Sequence, residues 1–285
     1  MDMRSQELIE EEIARLVDLG WANSAPTRLG VRIIDSHQNL DISFPQSLFD
    51  NDRERFDLDG IWVRWRVKKI LDTLNENGVK ILWEVGSGDG NVAIPLSSAG
   101  IGVIGIEPLL QGAVITSQNG IRTYVGTLES LNLPSNSLYA VGVFDVLEHL
   151  EKPKDLLAEI YRVLKPGGIC LVTVPAHEWL FSNFDANIGH YRRYSRKNLL
   201  WSLDGAGFRS NYSQFLFSLF VLPAWVLRKL SKNAKRDSDL KKSISSSQQY
   251  FYLLKVLEPV LKPLLFVEEC FRFPFGLSLF SVSKK

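Results

Sequence analysis

The chain has 285 residues, of which 45% are hydrophobic and 23% charged. That composition is ordinary for a globular protein, supplies enough apolar mass for a core and excludes a wholly disordered chain. Lys plus Arg total 33 and Asp plus Glu 32, a formal net charge of +1, so there is no global drive toward nucleic acid and none is expected as a partner. The two cysteines, Cys170 and Cys270, lie far apart and lack CxxC partners. Neither a disulfide scaffold nor a cysteine-rich zinc site is therefore expected, and a reducing compartment fits.

The first residues carry neither a basic stretch nor an apolar one, so no secretory signal is expected. Residues 5–20 place Ile9, Ile13, Leu16 and Val17 on one helical face. Residues 22–56, rich in Ser, Asn, Asp and Pro, read as an irregular connection. A second helix over 57–76 carries Ile61, Trp65, Ile70, Leu71 and Leu74, and Asn77-Gly78 ends it. Short Val- and Ile-rich runs follow at 79–85, 102–106, 121–125, 138–144 and 169–174, with helices or loops between them. A helix at 154–164 stops at Lys165-Pro166-Gly167-Gly168. Alternation of this kind predicts an α/β fold with a parallel sheet covered on both faces. Two further strands are expected at 208–215 and 276–282. The longest uncharged apolar run, Phe215 to Leu227, has thirteen residues and includes Pro223, short of the ~18 needed to span a bilayer. Arg228 to Lys242 carries seven Lys or Arg and two Asp, a local net of +5. Tyr250–Val267 has the pattern of an amphipathic helix.

The sharpest chemical signal is Glu84-Val85-Gly86-Ser87-Gly88-Asp89-Gly90, between a strand and a helix expected at 91–99. The glycines permit a tight turn with positive φ and let a ligand approach the backbone. A dinucleotide fingerprint is GxGxxG; here the spacing is GxGxG, and Asn91 stands where the third glycine would be. Glu84 would repel a pyrophosphate but suits an ammonium. The bland alternative is a glycine-rich turn with no ligand. Glu107, at the end of the second strand in the run, is placed to accept from ribose hydroxyls, or is simply a surface acid.

These residues, with Phe144-Asp145-Val146-Leu147-Glu148-His149-Leu150 and Leu164-Lys165-Pro166-Gly167-Gly168, resemble the class I, Rossmann-like S-adenosylmethionine-dependent methyltransferases, in particular the broad subgroup that includes ubiquinone and menaquinone biosynthesis enzymes. The resemblance spans about residues 57–215 and the final strand. It implies a doubly wound seven-stranded sheet of order 3-2-1-4-5-7-6 with strand 7 antiparallel. It also implies S-adenosylmethionine as cofactor and no metal. By resemblance, Glu84 and the backbone of Gly86, Ser87, Gly88, Asp89 and Gly90 would meet the methionine end of the cofactor. Glu107, followed by Pro108, would hold the ribose. Thr127, Leu128 and Glu129 would lie at the adenine, with Thr127 departing from the usual acid. Phe144 and Asp145 would lie near the sulfonium. Arg64 or Arg66, in a Trp-x-Arg-x-Arg helix, would pair with the cofactor carboxylate, or the two belong to a solvated basic face.

Two histidines are candidate general bases for methyl transfer. His149 follows the fourth strand of the run, and His190 lies after the fifth beside Tyr191, Arg192 and Arg193, which are candidates for binding an anionic acceptor. The bland alternatives are a helix-start residue and a structural loop clamp. His37 and His177 lack supporting context.

The expected organisation is an extension over 1–56, a methyltransferase domain over 57–215 with 275–285, and an apolar and basic insertion over 216–274. That insertion reads as a lid, or as an anchor on an anionic membrane surface through 215–267. The expected function is transfer of a methyl group to a small-molecule or lipid-like acceptor, in the cytoplasm or peripherally on the inner membrane surface. The alternatives are a non-enzymatic binding module of the same fold and a nicotinamide-dependent oxidoreductase.

Overall fold

Side chains on successive strand residues point to opposite faces of a sheet, and the central strands here are apolar on both. In the computed structural model, which describes residues 3–22, 31–33, 60–231, 263, 266–268 and 271–285, Trp83 of β2 (Ile81–Val85) joins one buried cluster while Leu82 joins another. Ile104 and Val103 of β3 (Gly102–Glu107) divide the same way. A sheet apolar on both faces must be covered on both, and helices supply the cover.

On one face, α1 (Met3–Asp18) buries Ile9, Ile13 and Leu16, spaced as one helical stripe. Trp21 completes that layer. Its ring lies edge-on to Trp83 and Tyr124, and its indole N–H donates to the Leu131 carbonyl at 2.7 Å. On the other face, α2 (Ile61–Glu76) buries Val63, Val67, Ile70 and Leu74. Truncating one of these fully buried aliphatic side chains to Ala would cost about 2–5 kcal/mol.

The chain continues through α3 (Ala93–Ser98), β3, α4 (Leu110–Gln118), β4 (Arg122–Val125) and β5 (Leu138–Phe144). A short 3₁₀ turn at Leu147–His149 leads to α5 (Pro153–Val163) and β6 (Leu164–Pro175). The loop after β6 holds α6 (Asn183–Asn187) and is followed by α7 (Arg196–Gly205), β7 (Arg209–Leu216), α8 (Val221–Ser231) and β8 (Ser278–Lys284). The sheet order is β1-β4-β3-β2-β5-β6-β8-β7. Numbered from β2, its seven main strands run 3-2-1-4-5-7-6, as expected. The last strand, β8, is antiparallel to both neighbours.

The sheet has one strand more than expected. Arg32–Ile33 forms a two-residue edge strand, β1, parallel to β4, inside the stretch read as irregular. Two residues carry no period, which is why the pattern missed it. The helix expected at 91–99 is shorter, Ala93–Ser98, because Gly86 to Asn91 are spent in the turn. The apolar run from Phe215 divides among the end of β7, a 3₁₀ turn at Ser218–Phe220 and α8. The basic run from 232 and most of Tyr250–Val267 lie outside the described residues, as does His37. Among the described residues, no helix is long and apolar enough to cross a membrane.

Candidate functional site

Open parallel sheets bind ligands at the carboxyl ends of their strands, where the strand order reverses. Here the reversal lies between β2 and β5, which are direct neighbours. Glu84, Glu107, Phe144 and Asp145 all lie at those ends.

The loop after β2 is stitched to β3 and α4. The Gly86 N–H donates to the Ile106 carbonyl at 2.8 Å, and the Gly88 N–H to Glu107 Oε2 at 2.7 Å. Thr116 Oγ1 donates to the Gly88 carbonyl at 2.7 Å. Gly86, Gly88 and Gly90 take positive φ values of 74°, 54° and 88°, a region costly for other L-residues. They differ in what a side chain would meet. A Cβ on Gly86 would lie 2.4 Å from Val146 Cγ2, and one on Gly90 2.7 Å from Ile94 Cδ1. A Cβ on Gly88 would meet nothing within 4 Å. Gly88 therefore faces open space, whereas its neighbours are glycine for packing reasons.

Glu84 is 2% exposed, and its Oε2 has no hydrogen-bond partner. Burial pushes its carboxyl up to about 8, against the pull of the Arg66 guanidinium. Burial also raises Glu107 to about 7, although the N–H groups of Leu109 and Gly88 oppose the shift. Glu107 is thus more than a strand-end acid, since its two oxygens fix both the glycine loop and the entry to α4. A buried carboxylate without a partner is costly, and a cationic group beside Glu84 would relieve it. The ammonium of an amino-acid moiety, laid against Gly88 and Glu84, fits that requirement, so the residues present suit S-adenosylmethionine.

Arg66 does not stand alone. Its guanidinium pairs with the Asp145 carboxylate, whose other oxygen accepts from Thr173 Oγ1 at 3.1 Å. Arg66 Nε is buried without a partner, so a donor remains for a ligand carboxylate. Asp145 is held at φ 56°, a strained conformation for a non-glycine residue that concentrates at functional sites. Thr127 folds its hydroxyl and backbone into a local turn with Ser130. Leu128 is fully buried and Glu129 exposed. Pro108 sits between Glu107 and the start of α4.

The structure brings His149 and His190 together, with rings edge-on at 4.6 Å. His149 Nδ1 lies 3.1 Å from the Gly189 carbonyl. Burial, with the neighbouring His190, lowers its pKa to about 4, which matches poorly a proton transfer near neutral pH. Arg193 is buried, and its guanidinium is taken up by Asp185 and the Ala176 carbonyl. It is a loop clamp rather than an open anion receptor. Arg192 Nη2 donates to the Glu151 carbonyl at 3.0 Å, and its guanidinium lies over the exposed Tyr191 ring. His177 stacks on Phe215. Sequence reasoning passed over Glu148, which is fully buried with both carboxylate oxygens unpartnered. The signal available was an acid in an otherwise apolar Val-Leu-Glu-His-Leu run.

Comparison with known proteins agrees with this geometry. Residues 83–172 match the family described as "Methyltransferase domain". Two relatives named only as uncharacterized methyltransferases, from Mycobacterium bovis and Mycobacterium tuberculosis, are 29% and 28% identical over 152 residues, which is 49% of this chain and 57% of each relative. The chain thus spans little more than half the length of the curated relatives it matches. Among solved structures, an S-adenosylmethionine-dependent methyltransferase from Mesorhizobium loti matches with a TM-score of 0.51 at 14% identity, covering 80% of this chain and all of that one. The phosphoethanolamine N-methyltransferase 2 of Haemonchus contortus matches with a TM-score of 0.51 at 15% identity, over 82% and 58% of the two chains. Residues 83–172 thus resemble a methyltransferase domain, and the chain shares the fold of the class I, Rossmann-like methyltransferases.

Proposed function

We propose that this protein transfers the sulfonium methyl group of S-adenosylmethionine to an acceptor by in-line displacement. The observation that carries the reading is the unpartnered, buried Oε2 of Glu84, on the strand that leads into the loop where Gly88 faces open space. The cofactor supplies a methyl group on a cationic sulfur. The chain's part is to bind, orient and exclude water. Glu84 would hold the ammonium, Glu107 the ribose hydroxyls, and the remaining Arg66 donor the carboxylate.

The acceptor we infer is lipid-like. A groove of about 410 Å³ is lined by Trp179, Leu219, Leu222, Trp225 and Phe275. Leu222, Trp225, Phe271 and Phe275 are all well exposed. Contiguous exposed aromatic and aliphatic side chains mark binding surfaces, and in sequence the +5 run follows shortly after Leu222 and Trp225. Apolar surface beside a basic segment suits an anionic membrane face.

The test is methyl transfer from labelled S-adenosylmethionine into lipid and aqueous metabolite extracts, with co-sedimentation on anionic liposomes. Label in the lipid fraction, and binding that rises with anionic lipid and falls with salt, are expected. Label only in water-soluble products would end the lipid reading. No label in either fraction, from a chain that binds S-adenosylhomocysteine, would leave a binding module.

A further inference from the structure

Glu148, His149 and His190 converge at the carboxyl end of β5, and one donor atom from each lies within 4.8 Å of the others. We propose that this cluster binds a divalent first-row transition ion, Zn²⁺ foremost, through two imidazoles and one carboxylate.

Glu148 is 0% exposed, and neither of its carboxylate oxygens has a hydrogen-bond partner. Burying an acceptor pair with nothing to accept from is strongly unfavourable, and buried charges are paired or coordinate metals. No Lys or Arg pairs with it among the described residues. The Arg193 and Arg66 guanidiniums act on it without forming an ion pair, and His190 Nε2 lies 3.9 Å from Glu148 Oε1, beyond hydrogen-bond reach.

One of the two imidazoles is already held by a hydrogen bond at one ring nitrogen. His149 Nδ1 lies 3.1 Å from the Gly189 carbonyl, which assigns the proton to Nδ1 and the lone pair to Nε2. His190 Nδ1 lies 3.3 Å from Asp185 Oδ1 without forming a hydrogen bond, and its Nε2 lies 3.9 Å from Glu148 Oε1. A ring nitrogen donating to a backbone carbonyl, as in His149, is the supporting shell of metal-bound histidine. Asp185 is itself fixed by Arg193 and by the Ser182 N–H and hydroxyl. The loop is tied down as well, since the Tyr191 N–H donates to the Glu148 carbonyl and the His190 N–H to the Asp185 carbonyl, both at 2.8 Å.

Two donors at about 2.1 Å from one tetrahedral ion lie about 3.4 Å apart, so donors that are within 4.8 Å of one another must close by up to about 1.4 Å on binding. The donor set decides the ion. Two nitrogens and one oxygen suit Zn²⁺ and other first-row transition ions rather than Mg²⁺ or Ca²⁺, which take oxygen donors. Three protein ligands leave at least one position open. In a methyltransferase that position would take an acceptor oxygen, a role that rests on the proposed function, although ion binding itself does not.

The test is a Co²⁺ titration of the full chain after dialysis against a chelator, with S-adenosylhomocysteine binding measured on the same sample. One Co²⁺ per chain is expected, with visible d–d absorption that Zn²⁺ abolishes by displacement. His190→Asn and Glu148→Gln should each weaken Co²⁺ binding tenfold or more while S-adenosylhomocysteine still binds. His190→Asn, at the more open position, serves should Glu148→Gln not fold. Native chain that binds S-adenosylhomocysteine but no Co²⁺ would overturn the proposal, as would Co²⁺ binding unchanged in a folded variant. Co²⁺ binding without S-adenosylhomocysteine binding would leave the metal site standing and remove the methyltransferase reading.

Discussion

Replacing Gly88 by valine is expected to abolish S-adenosylhomocysteine binding, at least a hundredfold by calorimetry, while the chain still folds. The two effects separate because of where Gly88 points. Its φ of 54° costs a β-branched residue about 1–2 kcal/mol, small against the 5–15 kcal/mol that stabilises a typical domain. For a protein of this size that is a fall in Tm of roughly 2–8 °C. No protein atom within 4 Å resists the added Cβ, so the new side chain enters only the space assigned to the ligand. Gly86→Val is the contrasting variant. It drives its Cβ into Val146 Cγ2, 2.4 Å away, and should lower stability and binding together. A Gly88→Val protein that binds like the parent would sink the site assignment.

Most of the sheet was legible because its strands are apolar on both faces and its helices on one. Ile160, Leu157 and Val163 sit in the first core cluster at helical spacing, and Gly78 follows the end of α2 at positive φ. Periodicity says when an element begins but little about elements too short to show a period. The pairing of Arg32–Ile33 with Tyr124–Val125 is such a case.

The site was legible in its residue types and less so in its partnerships. Glu84, the glycines and Glu107 could be picked out because their spacing serves a ligand at a strand end. That Glu107 would be shared between two backbone N–H groups could not, because it depends on how closely the loop folds onto β3. The pairing of Arg66 with Asp145 joins residues 79 apart in sequence. So too the meeting of His149 with His190 depends on the α6 loop returning over β5, where Arg193 and Asp185 lock it. The sequence offered the two histidines as separate bases, whereas the fold makes them neighbours and sets the buried Glu148 beside them.

Cofactor affinity is expected to rise with pH between about 6 and 8, with close to one proton released per molecule bound near pH 7. Glu84 and Glu107 are raised from an ordinary 4.5 to about 8 and about 7. Acids raised in the folded state favour folding while protonated. The free chain therefore has their full contribution below about pH 4.5 and loses it as pH climbs through about 7 and 8. Each pKa unit corresponds to about 1.4 kcal/mol, so ionising Glu84 alone in the free chain opposes folding by several kcal/mol. An ammonium placed against Glu84 reverses that preference, because an opposite charge within contact distance favours the carboxylate. Binding then expels a proton, and affinity gains up to about tenfold per pH unit until Glu84 is ionised without help. The stabilisation conferred by S-adenosylhomocysteine, read as the shift in Tm, should grow over the same interval. Calorimetry in buffers of different ionisation enthalpy measures the released proton directly. Glu84→Gln keeps the shape of the side chain and removes its titration, so it should bind more weakly and with a flatter pH profile. If the parent releases no proton, or if the glutamine variant keeps the parent's slope, the ammonium does not sit on Glu84.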